Sequence, residues 1–290
     1  MVTGSLELAC GQRDFHLMAS YRVAEAEGRI RFHRRLESRY ASARRDVVVY
    51  LPPGYDGSAK TRYPVMYLQD GQNLFDPATG FAGKEWRADA AADDLIRKGR
   101  VEPVILVGVY NGGVRRISEY TPTRNARLRK GGKAANYTAM LVREVKPLID
   151  STYRTSKSAD STGIGGSSLG GLLALTAGLA EPRVFGKMAV LSPSIWWDDR
   201  VILRMVEKWR GTRRPPIWLD MGTDEGNSPH VMIQDSRSLR DALVNQGWSE
   251  GADLHYREVR GGQHDEYAWG SRFGQELEHL FQMNAAGRKP

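Results

Sequence analysis

Short apolar runs alternate with amphipathic segments from about residue 60 to the end of the chain. Pro64–Gln69 and Val104–Val109 are almost continuously apolar, which is typical of strands that are buried on both faces. Trp86–Lys98 and Asn136–Asp150 instead place their apolar residues on one side, as helices at a sheet surface do. The alternation predicts an α/β protein with a mostly parallel central sheet and helices on both of its faces.

The same patterns predict the remaining elements. The predicted strands are 162–165, 187–191, 217–221 and 253–259, and the predicted helices are 169–180, 201–209, 231–246 and 265–283. Residues 29–52 indicate antiparallel N-terminal strands, of which Asp46–Leu51 is the clearest. Because no repeat or linker interrupts the sequence, we expect one main domain at 46–290, preceded by an extension with one or more strands at 1–45.

One glycine-rich turn combines a serine with the spacing of a nucleophile motif. Gly166, Ser168 and Gly170 form Gly-x-Ser-x-Gly between a predicted strand and the predicted helix 169–180. The glycines suit a strained and crowded backbone, and the N–H groups of the helix N-terminus suit an oxyanion. An ordinary strand–helix turn would also be rich in glycine, but the order strand, turn, helix favours a nucleophile.

A serine nucleophile needs a base within hydrogen-bonding distance. His264 is the best candidate, because it follows Gly261-Gly-Gln in the loop between the last predicted strand and the last predicted helix. The other histidines lie near the N-terminus or within predicted elements, and we expect them to be structural or at the surface. They are His16, His33, His230, His255 and His279.

An acid that orients this histidine should follow a strand between the serine and the histidine. The predicted strand 217–221 leads into a loop with two acids, Asp224 and Glu225, and contains Asp220. Glu225 lies at the crest of the loop and is favoured, with Asp224 as the runner-up. Each of these acids could instead cap the following helix or face water.

Two backbone N–H groups should stabilise the oxyanion. The residue after the nucleophile, Leu169, supplies one. The loop Asp70–Phe75 follows an early central strand, and its Gln72 would supply the other after a tight turn at Gly71. Simple turn chemistry would give a similar loop sequence.

The net charge of +8 is unevenly distributed over the 290 residues. Residues 112–136 contain a run of basic side chains with Glu119 as their one acid, and a second basic cluster lies between Arg22 and Arg45. No nucleic-acid fold signature accompanies either cluster, so no nucleic-acid partner is predicted. We hypothesise that some of the arginines at 115, 116, 124, 127 and 129 face the site and favour anionic substrates, although a solvated loop would look the same.

Aromatic side chains also concentrate at the predicted strand ends. Such rings usually belong to the core, but they could also bind an aromatic acid or a sugar. Together with one arginine they form the predicted substrate-binding set: Trp86, Arg116, Tyr120, Tyr137, Trp196 and Trp197.

Several classes are disfavoured by composition. No apolar run approaches the ~20 residues of a membrane span, and no secretory signal is visible. This predicts a cytoplasmic protein as written, or a secreted or periplasmic one if a signal has been removed. The single cysteine, Cys10, excludes an internal disulfide and a cysteine-based metal cage.

With these motifs in place, the chain resembles the putative esterase family of α/β-hydrolases, which includes enterochelin, feruloyl and acetyl xylan esterases, esterase D and mycolyl transferases of the antigen 85 type. The matching segments are 48–55, 63–75, 116–122, 166–171, 192–197 and 261–269. The resemblance implies an α/β-hydrolase catalytic domain, Ser168 as nucleophile, His264 as base and an oxyanion hole at Gln72 and Leu169. It implies neither a metal nor an organic cofactor, and the acid position varies within the family.

Together these features predict a serine carboxylic ester hydrolase that works through an acyl-enzyme. Its substrate would be a small-molecule or saccharide ester: a carbohydrate-linked or phenolic ester of acetyl or feruloyl type, or a siderophore-type ester. An acyltransferase to a sugar acceptor would use the same residues. A non-catalytic carbohydrate-binding module and a peptidase are the more distant alternatives.

Overall fold

A computed structural model describes residues 28 to 283, which form an eight-stranded sheet and a two-stranded hairpin. The order in the large sheet is β1-β2-β4-β3-β7-β8-β9-β10, antiparallel at β1-β2 and β2-β4 and parallel elsewhere. The strands are β1 (Ile30–Leu36), β2 (Arg45–Tyr50), β3 (Val65–Gln69), β4 (Ile105–Val109), β5 (Arg124–Asn125), β6 (Lys130–Gly131), β7 (Thr162–Ser167), β8 (Lys187–Leu191), β9 (Ile217–Gly222) and β10 (Leu254–Val259).

Helices connect the parallel strands, as the alternating pattern predicts. They are α1 (Ala88–Arg97), α2 (Arg116–Tyr120), α3 (Ala134–Met140), α4 (Lys146–Thr152), α5 (Leu169–Ala180), α6 (Trp197–Glu207), α7 (Pro229–Asn245) and α8 (Glu266–Phe281). A π-helical turn, Leu141–Val145, joins α3 to α4. No helix between residues 28 and 283 is long and apolar enough to cross a bilayer.

The sheet separates two hydrophobic cores. In β2, Val47 and Val49 pack into one core, whereas Val48 and Tyr50 pack into the other. This alternation follows from the two-residue period of a strand. Helices α1 and α8 cover the face of Val48, and α3 to α7 cover the opposite face. The predicted mixed sheet with helices on both faces is confirmed.

Three local features differ from the sequence-based expectations. The short helix α2 and the β5–β6 hairpin lie in the basic segment and were not predicted, because each is too short to show a period. Helix α6 begins four residues before the predicted start, but Asp198, Asp199 and Arg200 have positive φ, so regular helix starts near Val201. The remaining boundaries differ by a few residues at most.

Two glycines let the loop after β3 approach β4 closely. A Cβ atom at Gly71 would lie 2.3 Å from the carbonyl carbon of Gly108, and one at Gly108 would lie 2.9 Å from Cα of Gly71. Both distances are far below a normal van der Waals contact. The predicted tight turn at Gly71 therefore exists because the chain must pass against the β4 backbone, and this contact fixes the loop that contains Gln72.

Candidate active site

Ser168 lies between β7 and α5, at the carboxyl end of a central strand. Its backbone has φ 58° and ψ −123°, a conformation that side-chain-bearing residues rarely adopt. The Ser168 N–H donates to the Leu191 carbonyl, and the Ser168 carbonyl accepts from the Ser194 N–H, each at 3.0 Å. These bonds to the last residue of β8 and to the segment after it hold the turn, so the half-buried hydroxyl projects beyond the sheet.

The glycines around this serine are required by close packing. A Cβ atom at Gly166 would lie 2.9 Å from the carbonyl carbon of Gly170, and one at Gly171 would lie 2.7 Å from the Leu191 carbonyl oxygen. Larger residues at these positions would push α5 away from the strand end. The Gly-x-Ser-x-Gly spacing thus has a direct steric basis here.

His264 reaches both Ser168 and Glu225. Its Nε2 lies 3.0 Å from Ser168 Oγ, and its Nδ1 lies 2.7 Å from Glu225 Oε2. A carboxylate can only accept, so Nδ1 donates and Nε2 is left to accept the serine proton. The imidazole packs edge-to-face on Trp269, with ring centroids 4.8 Å apart. An acid, an imidazole and a hydroxyl therefore form one continuous hydrogen-bonded chain.

The loop after β9 turns Glu225 inward and leaves Asp224 outside. Glu225 is only 1% exposed, whereas the Asp224 side chain faces solvent. Glu225 Oε1 accepts from the Gly222 N–H at 2.7 Å and from the Ser192 hydroxyl at 2.5 Å. Its other oxygen is consequently left for His264. Of the three acids that sequence reasoning weighed, Glu225 is the one that the fold brings to the imidazole.

A buried polar cluster supports Glu225 from behind. The Ser192 hydroxyl accepts from Trp269 Nε1 at 2.9 Å and from Arg272 Nη2 at 2.7 Å, while it donates to Glu225. Arg272 also pairs with Asp220, whose Oδ1 lies 3.0 Å from Nη2. Burial raises the pKa of Asp220, and the Arg272 charge offsets only part of this effect. Asp220 thus lies in the strand as a structural partner and does not contact His264.

The two predicted oxyanion donors lie beside Ser168. Leu169 is the first residue of α5, where an N–H has no acceptor within the helix. Gln72 lies in the turn Gly71–Asn73 and lines the same cavity as Ser168. The turn follows Asp70, whose φ of 55° redirects the chain at the end of β3.

Arg116 lines this cavity, but its charge is compensated. Its Nε and Nη2 each lie 2.7 Å from the two oxygens of Asp70. Burial alone would lower the pKa of Arg116, and the adjacent Asp70 charge more than offsets this and raises it. Asp70 also accepts from Asn111 Nδ2 at 2.7 Å, and its N–H donates to the Tyr120 hydroxyl. The pair fixes the turn that contains Gln72 and leaves no free cation at this position.

The cavity next to Ser168 has a volume of about 240 Å³, and part of its wall was missed by sequence reasoning. The missed lining residues are Asp70, Asn73, Phe81, Asn111, Glu266 and Trp269. Glu266 accepts from Asn73 Nδ2 at 2.9 Å, and burial, followed by the charges of Asp70 and Asp265, raises its pKa. Asn111 lies just after the end of β4, and Glu266 lies just after His264. These positions in the sequence could have indicated both residues as part of the cavity wall.

Most of the aromatic side chains predicted to bind substrate are in the core. The buried ones are Trp86, Tyr120, Tyr137 and Trp197. Trp86 packs on Trp269 and Phe273, behind the cavity wall, and Trp197 Nε1 donates to the Thr123 carbonyl. Trp196 is exposed but is not among the residues that line this cavity in the described part of the chain. The four buried rings thus belong to the two hydrophobic cores, and in the described part of the chain none of them lines the cavity beside Ser168.

The basic segment contributes a single arginine to this cavity. Within residues 28–283, the lining includes Arg116 but none of the arginines at 115, 124, 127 and 129. The same described range contains no cluster of three or more histidine, cysteine or acidic side chains that could hold a metal ion.

Comparison with known proteins places the chain in a family. The family model described as "Putative esterase" matches residues 38–280. The uncharacterized protein YbbA of Bacillus subtilis is 25% identical over 257 residues, which cover 85% of this chain and 96% of YbbA.

Two further similar proteins have names that state an activity. A siderophore triacetylfusarinine C esterase of Aspergillus fumigatus is 30% identical over 175 residues, which cover 57% of this chain and 58% of that esterase. The crystal structure of an IroE-like serine hydrolase from Shewanella oneidensis shares the fold, with a TM-score of 0.69, 24% identity and coverage of 87% of this chain and 80% of the other. The chain belongs to the putative esterase family, and it is an enzyme that hydrolyses carboxylic esters.

Proposed function

We propose that the protein is a serine esterase that acts through an acyl-enzyme, with Ser168 as nucleophile, His264 as general base and Glu225 as the orienting acid. The observation that supports this most strongly is the chain of hydrogen bonds from Glu225 Oε2 through His264 to Ser168 Oγ. It ends on a serine with a strained backbone at the wall of a cavity. Nucleophile, base and acid need this connectivity to act as a unit.

The reaction has two halves. Ser168 Oγ attacks the ester carbonyl carbon while His264 Nε2 takes the serine proton, and His264 then gives this proton to the leaving alcohol. Water attacks the acyl-serine in the second half, again with His264 as base, and releases the carboxylic acid and the free serine. The N–H groups of Leu169 and Gln72 stabilise the negative oxygen of each tetrahedral intermediate, at about 3 kcal/mol per donor.

Glu225 acts on the imidazole and not on the substrate. It accepts from Nδ1–H, which keeps Nε2 free to accept a proton, and its negative charge stabilises the imidazolium that forms during the attack. Its Oε1 is held by Gly222 and Ser192. The carboxylate is therefore oriented before substrate arrives and needs no reorganisation during the reaction.

We assign a siderophore-type ester as the substrate class, with phenolic esters of feruloyl type as the second candidate. The Aspergillus relative supports the first, and the sequence resemblance supports both. Phe81 and Trp269 give the cavity wall an aromatic side, and the Arg116–Asp70 pair gives it a polar side without an uncompensated charge. This combination suits the ring and hydroxyl groups of a phenolic acyl chain.

A substrate panel tests this assignment. We expect kcat/KM to be highest for a catecholate trilactone, lower for methyl ferulate and lowest for acetylated xylan, because only the first two place an aromatic acyl chain in the cavity. A protein that prefers acetylated xylan would contradict the assigned class without affecting the serine mechanism.

Ser168→Ala should lower kcat for p-nitrophenyl acetate by at least about 10⁴-fold, because the variant lacks the hydroxyl that we assign as the nucleophile. Its melting temperature should stay close to that of the wild type. Ser167→Ala is the matched control, since Ser167 is the preceding serine of the same turn and is buried in β7. Loss of activity in Ser167→Ala, together with full activity in Ser168→Ala, would contradict the assignment of Ser168 as the nucleophile.

Glu225→Gln should lower kcat by about 10²- to 10⁴-fold, since the amide can present a donor to Nδ1 and favour the unproductive tautomer. Asp224→Asn makes the same chemical change one residue away, at an exposed position. We expect the Asp224→Asn variant to keep its activity within about twofold, as surface substitutions usually do. Equal losses in the two variants would remove Glu225 from the mechanism.

A further inference from the structure

A second cavity, of about 350 Å³, opens at the same edge of the sheet as the one beside Ser168. Three segments form its wall: Ser38–Ser42 between β1 and β2, residues 114–119 around the start of α2, and residues 133–137 at the start of α3. Strand β2 runs antiparallel to β4, with Val47 opposite Val109, so the loop before β2 lies beside the carboxyl end of β4. The cavity is therefore next to the proposed active site.

Basic side chains from both clusters in the sequence meet in this wall. Arg39 comes from the first cluster, and Arg115 and Lys133 come from the second. All three side chains are exposed, and none forms an ion pair with another residue of the described range 28–283. Arg39 precedes Arg115 and Lys133 by some 75 to 95 positions in the sequence, so only the fold brings the three side chains together.

The single acid in this wall does not cancel these charges. Glu119 is buried and accepts from Arg45 at 2.9 and 3.2 Å, in a pair whose side chains are at most 4% exposed. Arg45 therefore neutralises Glu119 from behind the wall. No carboxylate of the described range forms an ion pair with the side chains of Arg39, Arg115 or Lys133. Glu144 lies beside the wall, where it accepts from the Arg39 backbone N–H at 3.0 Å, so one further acid adjoins three basic side chains and a local excess of positive charge remains.

Hydroxyl and amide groups complete the wall, at Ser38, Ser42, Ser118 and Asn136. The Ser38 oxygen accepts from the N–H groups of Tyr40 and Ala41, each at 3.0 Å, so its own proton remains to be donated elsewhere. Cations together with neutral O–H and N–H donors are the groups that bind oxyanions in proteins.

We propose that this cavity binds an oxyanion of the phosphate type, either as a free ion or as an anionic group of the ester substrate. Helix α2 separates it from the cavity beside Ser168: Arg116 faces one side and is neutralised by Asp70, whereas Arg115 faces the other side without a partner in the described chain. The anion preference that the basic segment suggests thus belongs to this second cavity and does not rest on the serine mechanism.

Calorimetric titration with inorganic phosphate at low ionic strength tests the proposal. The wild-type protein should bind phosphate, and Arg39→Gln/Arg115→Gln/Lys133→Gln should weaken this binding by roughly tenfold or more, because three charges near the ion are removed.

The matched control is Lys60→Gln/Arg62→Gln/Lys157→Gln. It removes the same charge from exposed residues that precede β3 and β7, at the opposite edge of the sheet. We expect the control to bind phosphate as the wild type does. No binding by the wild type, unchanged binding by the first variant, or an equal loss in the control would overturn the proposal.

Kinetics with a neutral and an anionic ester separate the two sources of the anion. If the anion is part of the substrate, the first variant should raise KM for p-nitrophenyl hemisuccinate and leave KM for p-nitrophenyl acetate unchanged. If it is a free ion, both esters should respond alike. Ser168→Ala should bind phosphate as the wild type does, so a failure of the esterase mechanism and a failure of this site give different results.

Discussion

The backbone of Ser168 is the constraint on which the site depends. A side-chain-bearing residue at φ 58° and ψ −123° costs about 1–3 kcal/mol and persists only where surrounding structure enforces it. Here the enforcement comes from the Leu191 carbonyl and the Ser194 N–H, and from the crowding that admits only glycine at 166 and 171. The strained turn orients the hydroxyl toward His264 and places it next to Leu169, the first residue of a helix, whose N–H has no acceptor within that helix.

The second requirement is a carboxylate that is both buried and satisfied. An ionised group out of contact with water is stable only when hydrogen bonds replace its hydration. Glu225 obtains them from Gly222, Ser192 and His264, and Ser192 is itself held by Trp269 and Arg272. The helix that follows His264 thus also supports the acid, which couples the position of the base to that of its partner.

Sequence patterns were sufficient wherever a single local signal determines the structure. Helix Leu169–Ala180 and strand Lys187–Leu191 were predicted at their observed bounds, because each is a mostly apolar run. The glycines at 166 and 171 mark a turn that is too crowded for larger residues. The meeting of Ser168, His264 and Glu225 follows from the rule that parallel strands present their carboxyl ends at one edge. The roles of Trp86 and Trp197 could not be read in this way, since a ring in the core and a ring in a cavity wall have the same sequence signature. The meeting of Arg39, Arg115 and Lys133 in one cavity wall could not be predicted either, because it depends on tertiary placement alone.

Labelling with diethyl p-nitrophenyl phosphate tests the central claim most directly. An activated Ser168 displaces p-nitrophenolate and retains the diethylphosphoryl group, which peptide mass spectrometry can locate. We expect one such group per chain, on Ser168, with labelling that slows strongly in His264→Ala because the base is lost. Rapid inactivation with the group on another residue, or labelling of Ser168 that is unaffected by His264→Ala, would contradict the proposed pairing of hydroxyl and imidazole.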